Sequence, residues 1–180
     1  MITPAHFFGG YIALQATKKI WQGSTLSSRK TFELLIFGLI LSMAIDLDVL
    51  FVGGITGHHE QLTHYPFFWL FLSVVVYILG RLAKNELFKS VAIVTFIASW
   101  THMALDLFGV TMGVYWLWPF SMKEFSITPL RSEFASEQER WRYLLSSPIT
   151  LIGDSTVVIL GGVRMLMDIL HAIKNRLGIS

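Results

Sequence analysis

The stretch SWTHMALDLFG, residues 99–109, places His102 and Asp106 four residues apart in an otherwise oily segment. On a helix that spacing puts both side chains on one face, with about 5–6 Å between their Cβ atoms. An ionisable group buried in hydrocarbon is costly unless it is paired or bound to an ion. Two readings follow. Asp106 accepts a hydrogen bond from His102 and the pair helps helices pack, or the two are ligands of one metal ion or of two adjacent ones.

Other residues of the same chemistry lie upstream. HHEQLTH, residues 58–64, holds three of the six histidines, with His59 and His64 five apart and His58 and Glu60 alongside. Asp46 and Asp48 end a long apolar run. Residues two apart on a regular helix point about 200° away from each other. Both aspartates therefore face one site only where the backbone loosens, as Gly53 and Gly54 shortly afterwards suggest; otherwise one is a ligand and the other caps or orients. His6 near the start is a further candidate. With no cysteine in the chain, disulfides and thiolate zinc sites are excluded, and imidazole and carboxylate donors suit zinc, manganese or iron(II). His6, Asp46, Asp48, His59, His64, His102 and Asp106 exceed what one tetrahedral ion needs, so one or two ions are expected. A two-metal site activates water and clamps the oxygens of a phosphoryl or acyl group; an aspartate that is not a ligand is then a candidate general base. His171 reads instead as a cation near a helix C-terminus, Arg164 and Asp168 as a structural i, i+4 pair, and Asp154 has no evident role.

The elements that must position these residues are apolar. The 180 residues are 53% hydrophobic and 14% charged, against roughly 25% charged in soluble domains, and mean hydropathy is +0.59. The net charge of +2 is too small to suggest a nucleic-acid partner. Long apolar runs cover 31–54, 65–80, 87–110 and 149–173, the second being short of the ~20 residues that span a bilayer. The start, MITPAHFFGGYIALQATKK, reads as a short helix over 4–17 with Thr3 as N-cap and Pro4 in its first turn, and not as a cleavable leader. The expected fold is an all-α integral membrane protein: one membrane-embedded domain over 1–180, with about four transmembrane helices and a short N-terminal helix. Within it, 1–120 bears the motifs, 111–148 is a loop whose TMGVYWLWPF rests at the interface, and 149–173 is the C-terminal helix.

Basic residues suggest an orientation. Lys18, Lys19, Arg29 and Lys30 precede the first long run, Arg81, Lys84 and Lys89 follow the second, and Lys174 and Arg176 follow the fourth, whereas 55–64 has none. In an up-and-down threading these basic regions share the cytoplasmic side, although 111–148 carries Lys123, Arg131, Arg140 and Arg142 among four glutamates. His6, Asp46, Asp48, the 58–64 histidines, His102 and Asp106 then share one depth near the extracytoplasmic face of an inner membrane.

The ordered set His6…Gly10, Asp46-x-Asp48, His59-x-x-x-Thr63-His64 and His102-x-x-x-Asp106 followed by Trp118-Pro119 resembles the YdjM-type family of membrane-bound metal-dependent hydrolases, over residues 1–120 or so. That family is in turn distantly similar to zinc-dependent phospholipase C. Ile45, Val49, Glu60, Gln61 and Tyr65 depart from the family's motifs around the ligand positions, and an arginine absent near the site is one that could have held an anion. The resemblance implies a metal-dependent hydrolase, zinc being the leading ion, acting on a phosphate ester or other lipid-like substrate reached from the bilayer. The alternative is a metal transporter or sensor without hydrolytic activity. It would need polar residues continuing across the bilayer, and beyond Glu33 the inner halves of the first three long runs offer few. A scaffold keeping the ligands for structure alone is a third reading.

Overall fold

The structure, a computed structural model, describes residues 3–22, 26–52, 57–131 and 133–177, the side chains of Thr3 and Arg176 excepted. It is all-helical, with no strand among these residues beyond an isolated bridge between Val114 and Phe125. In chain order the helices are α1 (Thr3–Ala16), α2 (Lys18–Trp21), α3 (Ser28–Ala44), α4 (Val49–Val52), α5 (Pro66–Leu82), α6 (Glu86–Asp106), α7 (Glu137–Ser146) and α8 (Pro148–Leu177). A 3-10 turn, Ile45–Asp48, joins α3 to α4, and two more, His58–Glu60 and Leu62–His64, precede α5.

Local chemistry sets the helix starts. The Ser27 hydroxyl accepts from the Lys30 amide, the Asn85 carbonyl from the amides of Leu87 and Phe88, and the Ser136 hydroxyl from the Glu139 amide, each answering a backbone donor that the first turn leaves unpaired. Pro66 opens α5, where its missing N–H is no loss. Thr3 begins α1, but its expected capping side chain lies outside the described residues, as do Gly53 and Gly54.

Three helical stretches are long and apolar enough to cross a membrane: Ser28–Val52, Glu86–Asp106 and Pro148–Asn175. Pro66–Leu82 is apolar but shorter, in keeping with the shortfall read from 65–80. Their outer faces are greasy at helical spacing. Phe32, Ile36 and Ile40 on α3, and Phe71, Val74 and Ile78 on α5, are all exposed. So much contiguous apolar surface is foreign to a water-soluble monomer and natural against lipid. This is an integral membrane protein.

The short helix α1 is the hub. It packs on α3, α6 and α8, and Ala5, His6, Tyr11 and Leu14 are buried in the process. Its contact with α3 is close: a Cβ on Gly10 would lie 2.7 Å from the Ser42 Oγ. On the opposite flank α8 crosses it at Gly161, where a Cβ would meet the Phe8 Cβ at 2.6 Å and the Phe8 carbonyl oxygen at 2.9 Å. Small residues at such crossings let membrane helices approach without a hydrophobic drive. Leu14, Leu34, Leu39, Val94 and Trp21 then fill the bundle between α1, α3 and α6.

Two features add detail to the sequence reading. The loop 111–148 contains α7, amphipathic and polar, so hydropathy passed over it; Ser136 and Glu139 are its capping-box signature. In TMGVYWLWPF, residues 111–115 are buried and only the later part, including Leu117 and Phe120, is exposed.

The Gly161 crossing is testable. Gly161→Ala drives a methyl into backbone that cannot yield, and destabilises the detergent-solubilised protein by about 1–3 kcal/mol. Gly162→Ala, where a Cβ meets only the Phe8 ring at 3.8 Å, leaves the thermal unfolding midpoint close to wild type.

Candidate metal centre

Two helices and two turn segments deliver the site. α1 supplies His6, the 3-10 turn after α3 supplies Asp46 and Asp48, the turns before α5 supply His58, His59 and His64, and the last turns of α6 supply His102 and Asp106. His6, His64 and His102 are fully buried, Asp106 nearly so, and Asp46 has a side chain 15% exposed.

The two carboxylates lie between the imidazoles. His102 Nε2 is 3.3 Å from Asp46 Oδ1 and 3.1 Å from Asp106 Oδ2. His64 Nε2 is 3.6 Å from Asp46 Oδ1, and His59 Nε2 is 3.8 Å from Asp106 Oδ2. The other oxygen of each carboxylate faces His6, whose Nε2 is 3.2 Å from Asp106 Oδ1 and 3.8 Å from Asp46 Oδ2. The rings of His6 and His102 stack with centroids 3.9 Å apart. Zinc–ligand bonds of about 2.0–2.1 Å separate neighbouring donors in a tetrahedral shell by roughly 3.3 Å. The observed spacings bracket that edge.

Why the Nε2 atoms converge follows from what holds the opposite side of each ring. His102 Nδ1 lies 2.7 Å from the Ser42 carbonyl oxygen, His59 Nδ1 2.8 Å from that of Gly113, and His64 Nδ1 2.8 Å from Asp48 Oδ2. An acceptor at Nδ1 demands the proton there and leaves Nε2 as a lone pair, the arrangement of metal-ligating histidines. In turn Thr63 donates its hydroxyl to Asp48 Oδ2 at 2.5 Å, and Trp69 Nε1 donates to the Thr63 carbonyl at 2.6 Å.

This settles the geometric puzzle of Asp46 and Asp48. Their side chains diverge to opposite sides of one imidazole: Asp48 accepts from Nδ1 of His64, and Asp46 Oδ1 lies 3.6 Å from its Nε2. The carrier is the 3-10 turn Ile45–Asp48, a departure from regular α-helix at the expected place. His58 lies on the far side of Asp48, its Nδ1 3.4 Å from Asp48 Oδ1, with its ring edge-on to those of His59 and His64.

Unanswered polar atoms mark where a further ligand would fit. Among the described residues, neither ring nitrogen of His6 and neither Nε2 of His64 and His102 makes a hydrogen bond, and all are buried. Nitrogen lone pairs sealed from water this way are normally satisfied. Two triads, His6 with Asp46 and His102, and His64 with His102 and Asp106, bring their ligand atoms close enough to share an ion, as do His58, His59 and His64. The donor set therefore fits a divalent cation with nitrogen and oxygen ligands. Burial holds the pKa of His59 well below the ordinary imidazole value, over the opposing pull of Asp106. At His64 burial acts in the same direction, but the carboxylates of Asp46 and Asp48 outweigh it and raise the pKa.

The other sequence candidates fall elsewhere. His171 is exposed on α8. Arg164 Nε donates to Asp168 at 3.1 Å, and Tyr11 donates to the same carboxylate at 2.7 Å, so that pair ties α8 to α1. Asp154 is buried on α8. The carbonyls of Ser42 and Gly113, which hold two of the rings, were invisible to side-chain chemistry. Thr63 was inside the quoted motif without a role.

No curated protein and no solved structure matches the chain. One family model does, that described as YdjM inner membrane protein, and it covers residues 1–165. The match runs past the motifs through α7 and into α8, further than the resemblance over 1–120. The chain belongs to the YdjM inner membrane protein family.

Proposed function

We propose that this protein is a membrane-bound hydrolase that uses one or two divalent ions, zinc foremost, to cleave a phosphate ester or related bond in a lipid-like substrate. The observation that carries the reading is the convergence of buried, unpartnered Nε2 atoms on Asp46 and Asp106. An ion bound there supplies Lewis acidity towards water and towards a phosphoryl or acyl oxygen. The chain's own residues do the rest. His6, Asp46, His59, His64, His102 and Asp106 are the ligands in this reading. The two oxygens of each aspartate face different imidazoles, so each carboxylate would be able to serve one ion or two. Asp48 is a positioning residue, because its Oδ2 already accepts from both Thr63 and His64. That engagement makes it a poor proton acceptor and moves it out of the general-base role open to it in the sequence.

The surroundings favour hydrolysis over transport. Below the cluster Leu14, Leu34, Leu39 and Val94 fill much of the bundle, and among the described residues no carboxylate or imidazole is buried there between α1, α3 and α6 to lead an ion onward. The basic residues at the opposite ends of the helices support a site on the extracytoplasmic side.

His102→Ala removes a ligand central to both triads. Purified in detergent, it contains metal only at background and loses phosphate-ester hydrolysis by about 10²-fold or more, whereas His171→Ala keeps both; elemental analysis and a chromogenic ester assay check this. A His102→Ala protein with full metal content would overturn the assignment. Asp48→Asn is milder, lowering metal affinity about 10–100-fold, the usual effect of disturbing a partner of a ligand. Titrating zinc back into chelator-stripped protein measures the difference and restores wild-type activity.

A further inference from the structure

The opposite end of α1 carries a second feature that the metal centre does not use. Gln15 is nine residues along α1 from His6, a rise of roughly 14 Å. There, between the end of α1, α2 and α8, lies an open cavity of about 530 Å³ lined by Lys18, Lys19, Arg164 and His171, with Gln15 and Gln22 as neutral donors. Its single acidic lining residue, Asp168, is already engaged by Arg164 and by the Tyr11 hydroxyl. Among the described residues Lys18 and Lys19 form no ion pair. The pocket therefore presents an excess of positive charge and several N–H donors.

A second cavity of about 320 Å³ adjoins it and shares Gln15, Lys18, Gln22 and Asp168. Its remaining wall is largely apolar, with Phe32, Leu35, Ile169 and Ala172, and Phe32 and Ile169 are exposed on the faces that meet lipid. A basic, donor-rich chamber opening sideways into an apolar trough matches an amphiphilic anion, charge in one and chain in the other. Basic pockets between membrane helices at a bilayer surface take phospholipid headgroups on these grounds.

We infer that the cleft between α1–α2 and α8 is a binding site for a phosphate-bearing anion, held by Lys18 and Lys19, with the acyl chain of an anionic phospholipid lying in the adjoining trough. The site is separate from the metal centre and is filled with or without metal.

The test uses the full chain reconstituted in phosphatidylcholine vesicles with trace spin-labelled phosphatidylglycerol or spin-labelled phosphatidylcholine, reading the motionally restricted fraction. Wild type selects phosphatidylglycerol several-fold, and K18Q/K19Q removes the selection while K18R/K19R keeps it. R81Q/K84Q, which removes exposed charge from around the end of α5, outside the lining of both cavities, also keeps it. Inorganic phosphate added at millimolar concentration separates the sources. Displacement of the label identifies a site that reads the phosphate alone, and persistence identifies one that needs the whole lipid; both leave the lysines as its anchor. Circular dichroism confirms that each variant is folded. Equal restriction of the two labels in wild type, selection that survives K18Q/K19Q, or equal loss in R81Q/K84Q would each overturn the inference.

Discussion

Two carboxylates held among imidazoles in a low-dielectric interior are the constraint around which this molecule is organised. Asp46 and Asp106 could not remain ionised there alone, because desolvation of a lone carboxylate far exceeds what helix packing returns. The imidazoles from α6 and the 58–64 turns that face them are fixed from behind through Nδ1 and offer lone pairs rather than charge, so a cation between rings and carboxylates would supply the compensation. The hierarchy has three layers: candidate ligand atoms, then the oxygens on Nδ1, then Thr63, which donates to the Asp48 oxygen on His64 and whose own carbonyl accepts from Trp69. Rigidity at each layer is what lets a site hold donors at bonding separation without prior strain.

The segment after α6 belongs to that hierarchy. It folds back over the end of the helix, with Ile127 and Arg131 amides bonded to the carbonyls of Leu107 and Val110, and the Val114–Phe125 bridge closing the return. That path places the Gly113 carbonyl on His59. Tyr65, which opens towards α5, stacks on Trp118 at 4.5 Å between ring centroids, so the same segment also roofs the loop that carries His64. The polar stretch between the long helices is thus a structural cover for the centre rather than a passive connection.

Much of this was legible from residue types and order. His102 and Asp106 announced themselves by standing at helical spacing in an apolar run, and the His58–His64 turns by sheer density of imidazole. The long apolar helices followed from hydropathy. What stayed hidden was hidden for physical reasons. A backbone carbonyl has the same formula at every position, so Ser42 and Gly113 carried no signal. The division of labour between Asp46 and Asp48 depends on where His64 sits between them, a long-range fact that a local helical wheel cannot contain. The helix α7 is polar enough to lie outside any hydropathy criterion, and only its capping residues betrayed it.

The position of α1 carries a consequence for biogenesis. At 14 residues it is about 21 Å long, less than the roughly 30 Å hydrocarbon thickness, and its stability in the bilayer therefore comes from neighbours synthesised after it. His6 reaches its partners only once α3, α6 and α8 have enclosed that helix. In the proposed metal-bound protein, cation retention and completed assembly would be a single linked equilibrium: a chain in which α1 is not yet enclosed would lack one imidazole of the set, and an ion held there would clasp α1 among the helices that follow it.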